Sequence, residues 1–476
     1  MTSKPAAAQA ATAAGAFLLP LALAQFICSF AGSNMNVMIN DIGEDLDTTV
    51  KGVQTTITLF LLIMAVLMIP GSKLTDRWGR KRCFTLGLAL YGIGALLSAA
   101  SPGLGVLILG NSVLEGVGTA LLIPPVYILT TLAFHDLTSR ARAFGVISGM
   151  GGVGAAAGPL IGGLITSAIS WRAAFVFQAL VIVAIVFLGR RIADPIEADP
   201  SRPFDTPGAV LSAIGMLFLV IGILQADNDV ALMAGFFVLG AVFLLWFFRH
   251  VRVRERAGRE ALLSTSLFRN RTSNLGMATQ NLQWLLLMGV SFVVAVFLQT
   301  VRGYDAIETG AIFTAATVGV LLSSLAAARL AKRRPQRALI SAGFLAAAAG
   351  IGLLLGLVDM SSRVVAFVPG LFLFGLGVGV MLTPSVNVVQ SAFPDELQGE
   401  ISGLSRSISN LGSSFGTAIA GTILVSDLAS GNTTYVIALV VLAVVSLAGL
   451  VVARLLPADA GKGPEPAAAP APAPAT

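Results

Sequence analysis

Residues 52–101 read GVQTTITLFLLIMAVLMIPGSKLTDRWGRKRCFTLGLALYGIGALLSAAS. Two apolar runs, 52–71 and 83–101, flank a short basic loop that holds Lys73, Arg77, Arg80, Lys81 and Arg82. Each run has about the 20 residues that a helix needs to cross the hydrocarbon core of a bilayer. A helix satisfies its own backbone polar groups, so a pair of such runs reads as a membrane hairpin with its charges gathered at one end.

The same pattern fills the chain. Of 476 residues, 56 % are hydrophobic and 11 % are charged. Soluble domains carry about 25 % charged residues, so little is left to cover a soluble surface. That composition excludes most soluble enzymes and nucleic-acid binders. Scanning for apolar runs gives spans at 16–40, 52–71, 83–101, 104–132, 142–168, 173–191, 207–226, 230–248, 274–301, 309–331, 337–358, 364–390, 400–425 and 434–455. The lead-in MTSKPAAAQAATAAGAFLLP shows no clean cleavage site, so the first run reads as a retained span. Cys28 and Cys83 give no disulfide framework.

The net charge of +6 resolves by location. The basic residues crowd into the loops after even-numbered spans, above all 73–82 and the arginine-rich stretch 249–273. The opposite loops hold Lys51, Arg172, Arg302 and Arg363, and the first of them is acidic at Asp41, Glu44, Asp45 and Asp47. The positive-inside rule then places both termini in the cytoplasm of a multi-pass cell-membrane protein. One basic-side loop, 395–400, is acidic instead.

The chain also repeats itself. LEGVGTALLIPP (Leu114–Pro125) matches LFGLGVGVMLTP (Leu373–Pro384), with Gly116 and Gly118 against Gly375 and Gly377, an offset of 259. Gly154, Gly158 and Gly162 match Gly412, Gly416 and Ala420 at an offset of 258. Two six-span halves follow, with a hairpin inserted between them. Duplication of this kind is a transporter build, with the substrate site between the halves. Small residues every fourth position also serve plain helix packing.

These segments bear a family resemblance. GSKLTDRWGRKR (Gly71–Arg82) resembles the loop signature G-x-L-a-D-R-x-G-R-K-R of the major facilitator superfamily, with one extra residue before the leucine. GAAAGPLIGG (Gly154–Gly163) resembles its antiporter motif, which marks Gly154, Gly158, Pro159, Gly162 and Gly163. SWRAAFVFQ (Ser170–Gln178), FDTPGA, SLFRNR and FLQTVRGYDAIETG (Phe297–Gly310) are similar to the fourteen-spanner drug:proton antiporters.

The resemblance implies an all-α membrane protein of the major facilitator fold, two pseudo-symmetric six-helix bundles plus an inserted two-helix hairpin. Its parts would be a cytoplasmic tail (1–15), a first bundle (16–191), the hairpin (207–248), a cytoplasmic connector (249–273), a second bundle (274–455) and a disordered Pro/Ala-rich tail (456–476). It implies a cytoplasmic latch built from Gly71, Asp76, Arg77, Gly79, Arg80 and Lys81. In that latch Asp76 pairs with Arg80, and the cluster meets Asp395, Glu396 and Glu400. The competing reading of the cluster is simple anchoring at the headgroups.

The coupling machinery departs from the family pattern. In LILGNSVLEGVGTA (Leu107–Ala120) the family's arginine is replaced by Asn111 and its glutamine by Glu115. In FAGSNMNVMIND (Phe30–Asp41) Ala31 replaces the family's acid, Asn36 keeps an asparagine and Asn40 replaces a proline. Away from span ends one carboxylate remains, Glu115. Eleven residues past Leu104, it lies about 16 Å along the helix, near the middle of a core about 30 Å thick. An ionisable group there is a functional candidate. Asn111, one turn away, can hydrogen-bond to it. Glu115 then reads as a proton carrier or a cation anchor, or as a structural acid doing the work of the family's glutamine.

Polar residues also gather on the spans that line the family's pathway: Gln25, Ser29, Ser33, Asn34 and Asn36 on the first, and Gln280, Asn281, Gln283 and Trp284 on the ninth. Of these, Gln25, Asn34, Asn36, Gln280, Asn281 and Trp284 are the cavity candidates, since amides with aromatics suit an amphipathic organic ligand. Taken singly, each also reads as an interhelical hydrogen bond. Arg406 reads as a gate or headgroup contact.

No phosphate-binding loop, metal cluster or nucleophile elbow is present, so no cofactor and no enzymatic activity are expected. The partners expected are a small-molecule substrate, protons and the bilayer, with the protein acting as a monomer. Two other readings stay open. One is an exporter or facilitator of a lipid or neutral metabolite without conventional proton coupling. The other is a non-transporting membrane sensor.

Overall fold

A computed structural model describes residues 4–461 apart from 135–136, 191, 193, 195–197, 202, 226–228, 332, 361–365, 395–396 and 427–431. Among the described residues fourteen helices are long and apolar enough to cross a membrane. In chain order these are α1 (Lys4–Asn34), α2 (Val50–Trp78), α3 (Arg80–Ala99), α4 (Leu104–Ala133), α5 (Leu137–Ala168), α6 (Trp171–Gly189) and α7 (Thr206–Leu224). Then follow α8 (Val230–Arg256), α9 (Arg271–Val301), α10 (Ala306–Leu330), α11 (Gln336–Met360), α12 (Phe367–Gln390), α13 (Gln398–Val425) and α14 (Asn432–Arg454).

The helices begin where short polar side chains take up unpaired backbone N–H groups. Thr49 accepts from Gly52 N, Ser170 from Ala173 N and Asn270 from Ser273 N. Asp305 and Glu308 form a reciprocal capping box at α10.

The duplication is visible in the packing. Within the first half α1 packs on α5, α2 and α3 on α4, and α3 on α6. Within the second half α9 packs on α13, α10 and α11 on α12, and α11 on α14. The matched glycines serve this packing. A Cβ at Gly118 would stand 2.6 Å from Tyr91 N of α3, and one at Gly377 2.6 Å from Ala347 N of α11. The halves meet along two seams, α2 on α13 and α5 on α10. This is the fold expected from the repeat.

The inserted hairpin is not an isolated appendage. α7 lies across the α2–α13 seam. Met216 and Val220 pack with Leu62 and Val66 of α2, and Thr422 of α13 donates to the Ile223 carbonyl. α8 packs on α7, with Phe218 against Phe236 and Phe243 at ring separations of 5.8 and 5.6 Å. Its other face exposes Val238, Leu245 and Trp246, as suits lipid contact.

Several boundaries differ from the sequence reading. The described part of the N-terminal tail is helical from Lys4 onward. The first span ends near Asn34. A tight 3-10 turn, Met35–Val37, and a short helix, Ile39–Asp45, follow it. α8 runs on to Arg256, so the first part of the connector is helix. At the C-terminal tail Leu456 and Ala460 are buried, and the Gly461 carbonyl accepts from Asn387 Nδ2. The stretch to 461 is therefore packed, and the remainder of the tail lies outside the described residues.

Candidate functional site: the seams between the halves

α2 and α13 run antiparallel and are tied by polar bonds at intervals along their length. Gln54 Nε2 donates to the Ala418 carbonyl at 3.1 Å, Ser414 Oγ to the Thr58 carbonyl at 3.1 Å, and Ser407 Oγ to the Ala65 carbonyl. At the basic end Lys73 Nζ pairs with Glu400 Oε1 at 2.7 Å. The acidic loop residue Glu400 thus meets the basic loop, as the resemblance implied, but its partner is Lys73. Asp395, Glu396 and the side chain of Asp76 lie outside the described residues. The other oxygen of Glu400 accepts from Ser264 N of the connector at 3.2 Å. One carboxylate therefore joins the first half, the second half and the connector.

The pair is about a quarter exposed on each side. Such pairs contribute little to stability, about 1 kcal/mol or less, so its value is positional. The expected outcome is that Glu400→Lys impairs transport and that adding Lys73→Glu restores part of it. Restoration stays partial because Ser264 loses its acceptor. Uptake or efflux rates of the two variants check this.

The rest of the basic loop is built around Gly79 and Asp194. Gly79 has φ +90°, a conformation that suits glycine and makes the sharp turn between α2 and α3. Asp194 Oδ2 accepts from the backbone N–H groups of Arg80 (2.6 Å) and Lys81 (3.2 Å), capping α3. Lys81 Nζ reaches the Arg190 carbonyl, and Arg80 is buried. Arg77 is half-buried at the end of α2. Gly71 presses α2 on α4, where a Cβ would overlap the Ala120 carbonyl. Asp194 was missed in the sequence, since nothing local marks a cap supplied from 114 residues away.

The antiporter-motif residues divide between two contacts. A Cβ at Gly154 would overlap the Phe26 carbonyl, one at Gly158 would overlap Ser33 Oγ, and one at Gly162 would stand 3.1 Å from Asn34 Cβ. These three glycines press α5 on α1 within the first half. Gly163 and Pro159 face the other half: a Cβ at Gly163 would overlap the Ala306 carbonyl, and Gly310 of α10 packs on the Pro159 carbonyl. Thr317 Oγ1 donates to the Ala156 carbonyl across the same seam.

The cavity candidates do not converge on one point. Gln25 joins a polar chain between the halves. The Arg406 guanidinium of α13 donates to the Tyr127 hydroxyl of α4 and lies 4.9 Å from its ring centre. Tyr127 in turn donates to Gln25 Oε1 at 3.1 Å. Tyr127 is stacked on Phe144 of α5 at 5.8 Å, which fixes its ring. Gln280 and Asn281 are engaged with α13: Ser405 Oγ donates to Gln280 Oε1 at 2.7 Å, and Asn281 Nδ2 to the Ile408 carbonyl at 2.9 Å. Trp284 is partly buried against the main apolar core. Asn34 and Asn36 are buried at the far end of α1. Tyr127 was not singled out in the sequence, because a tyrosine in an apolar span gives no signal of its partner.

Glu115 is fully buried in α4. It closes a π-helical turn, Ile108–Glu115, a wider turn that is frequent at functional sites. Its side chain points toward α3. Oε1 lies 3.5 Å from Ser98 Oγ, and a Cβ at Gly94 would stand 2.9 Å from Glu115 Cγ. Among the described residues no cation pairs with it, and no other carboxylate is buried within a span. The expected bond to Asn111 is not formed. Asn111 Nδ2 points to Met35 Sδ, in the tight turn that follows α1, at 3.4 Å.

Two helical halves of like topology, joined by polar and glycine-lined seams, define a secondary-transporter fold. The chain belongs to the Major Facilitator Superfamily, whose family model matches residues 21–417. It is a multi-pass membrane transporter and not an enzyme. It is 30 % identical over 413 residues to the puromycin resistance protein pur8 of Streptomyces alboniger, covering 85 % of this chain and 81 % of that protein. It is 26 % identical over 419 residues to the multidrug resistance protein Stp of Mycobacterium tuberculosis, covering 87 % and 76 %. A crystal structure of a peptide transporter, POT, in complex with alafosfalin superposes with a TM-score of 0.66 at 17 % identity, over 92 % of this chain and 94 % of that one.

Proposed function

We propose that this protein exports lipophilic small molecules, cationic ones included, from the cell in exchange for protons. It works as a monomer in the cell membrane by alternating access. The basic side faces the cytoplasm, with both termini there. Family membership and the resistance proteins among its relatives support export.

The observation that carries the coupling is Glu115, a buried carboxylate with no cation beside it among the described residues. An ionised carboxylate in such a place is costly. Taking up and releasing a proton there couples the charge state to the packing of α4 on α3. Arg406, Tyr127 and Gln25 join the halves near the basic side, where a cationic or aromatic substrate meets polar and ring contacts. The cytoplasmic latch is assigned to Lys73 and Glu400 with the surrounding loop, including Asp76.

A second reading has its own observation. Ala31 fills the position of the family's first-span acid, and Glu115 faces α3 within its own half instead of a seam. That arrangement favours movement of a neutral metabolite or lipid without conventional coupling. A drug-susceptibility panel on cells with and without the protein tests the main reading. Reduced susceptibility to lipophilic cations supports it; no change across the panel removes it.

A further inference from the structure

The inserted hairpin and the connector behind it are joined by one buried carboxylate. Asp205, just before α7, accepts from Gly208 N with Oδ1 and from Leu262 N with Oδ2, each at 3.1 Å. From α8, His250 Nε2 lies 2.8 Å from Asp205 Oδ1 and Arg254 Nε lies 3.7 Å from it. Glu255 of α8 accepts from Thr265 N at 2.7 Å and from the Thr265 hydroxyl. Bonds to a carboxylate are among the stronger hydrogen bonds, so α7, α8 and the stretch 257–265 form one folded unit.

That unit is tied to the two halves in different ways. Ser264 N, two residues past the N–H held by Asp205, donates to Glu400 of α13 at 3.2 Å. Asn270 Nδ2 donates to the Ala392 carbonyl, just past α12, at 3.2 Å. At the other end of α7, Thr422 Oγ1 of α13 donates to the Ile223 carbonyl at 3.1 Å. Leu263 and Leu267 share an apolar cluster with Met277, Val389 and Leu404 of the second half. Against the first half the unit presents apolar side chains. Met216 and Val220 meet Leu62 and Val66 of α2, and Ile69 of α2 joins the cluster around Leu263. The chain reaches the first half through 198–203, whose described residues are exposed.

Hydrogen bonds hold a set distance and angle, whereas apolar burial is non-directional and survives sliding. When two repeats rock as rigid bodies, a part tethered to one must slide over the other. We propose that the hairpin and connector belong to the moving body of the second half and slide over α2, with Asp205 locking the hairpin to the connector. The proposal rests on the alternating-access reading. Glu400 holds Lys73 with Oε1 and Ser264 N with Oε2. Releasing Lys73 therefore leaves the connector on α13.

The test uses full-length protein in lipid nanodiscs, with Cys28 and Cys83 replaced and spin labels placed in pairs at three exposed positions. These are Arg82 on α3, Arg252 on α8 and Arg334 between α10 and α11. Pulsed electron paramagnetic resonance reads each distance at acid and alkaline pH, with Lys73 in place and with Lys73→Ala. The Arg82–Arg334 distance reports the movement of the halves. The Arg82–Arg252 distance is expected to shift with it, while Arg252–Arg334 keeps one narrow value. A shift of Arg252–Arg334, alone or together with Arg82–Arg252, overturns the proposal. An Arg82–Arg334 distance that is fixed in every condition removes the alternating-access reading, and the proposal with it.

Asp205→Asn leaves one side-chain oxygen where two now serve Gly208, Leu262 and His250. It is expected to broaden the Arg252–Arg334 distribution, and His250→Gln serves in its place should that variant fail to fold. An unchanged width overturns the part given to Asp205. These distances need no transported substrate, so they stand apart from the fate of the export assignment.

Discussion

Glu115→Gln is expected to abolish proton-driven export while leaving the protein inserted and folded. The amide is nearly the same size as the acid. It keeps an oxygen beside Ser98 Oγ and still fits against Gly94. The change in stability should therefore be about 1 kcal/mol or less, that of altering one buried hydrogen bond. What the amide lacks is a titrating proton. In vesicles, the variant should show no substrate movement in response to an imposed pH gradient, with any downhill substrate exchange retained. If Glu115→Gln keeps full proton-driven transport, Glu115 is a structural acid and the carrier lies elsewhere.

The second large effect is expected at Arg406. Its guanidinium is the second half's contribution to the polar chain through Tyr127 to Gln25. Removing it by Arg406→Ala deletes a charge-assisted bond and a cation–π contact together. Arg406→Lys keeps the charge but loses the planar fork that lies over the tyrosine ring. Both should reduce transport strongly, with the alanine variant the lower. Tyr127→Phe removes only the hydroxyl. A double-mutant cycle of Arg406→Ala and Tyr127→Phe on thermal stability should show a coupling of about 1–2 kcal/mol. Additive effects would mean that the two side chains act independently.

Much of the architecture was legible in the sequence for physical reasons. A bilayer demands long apolar helices, and short basic loops mark one side. The duplicated glycines at Gly118 and Gly377 were legible as a repeat, and in the structure they bring α4 close to α3 and α12 close to α11. Gly79 stood in the loop signature as a latch residue, and its φ of +90° shows that it makes the turn between α2 and α3.

Side-chain direction was not legible. Glu115 and Asn111 are four apart and should share a face of a regular helix. In the structure Glu115, at the end of the π-helical turn, faces Ser98 of α3, and Asn111 faces Met35 in the turn just beyond α1. Hydropathy carries no trace of that turn. Gln280 and Asn281 were marked as polar residues on a pathway helix, yet they bind α13 because neighbouring carbonyls and hydroxyls were available there. Long-range partners such as Asp194 for the start of α3 leave no local pattern. The hairpin 207–248 was recognised as an insertion, but its seat across the α2–α13 seam depends on shape at Met216, Val220, Leu62 and Val66.

The most direct measurement of proton-linked export uses the unaltered protein in proteoliposomes loaded with a lipophilic cationic dye. A pH gradient is imposed in either direction and the dye flux is followed. Dye should move opposite to the proton gradient, reverse when the gradient is reversed, and fall to the leak rate when a protonophore collapses it. A protein-dependent flux that ignores the gradient and the protonophore would contradict proton exchange and leave the uncoupled reading in its place.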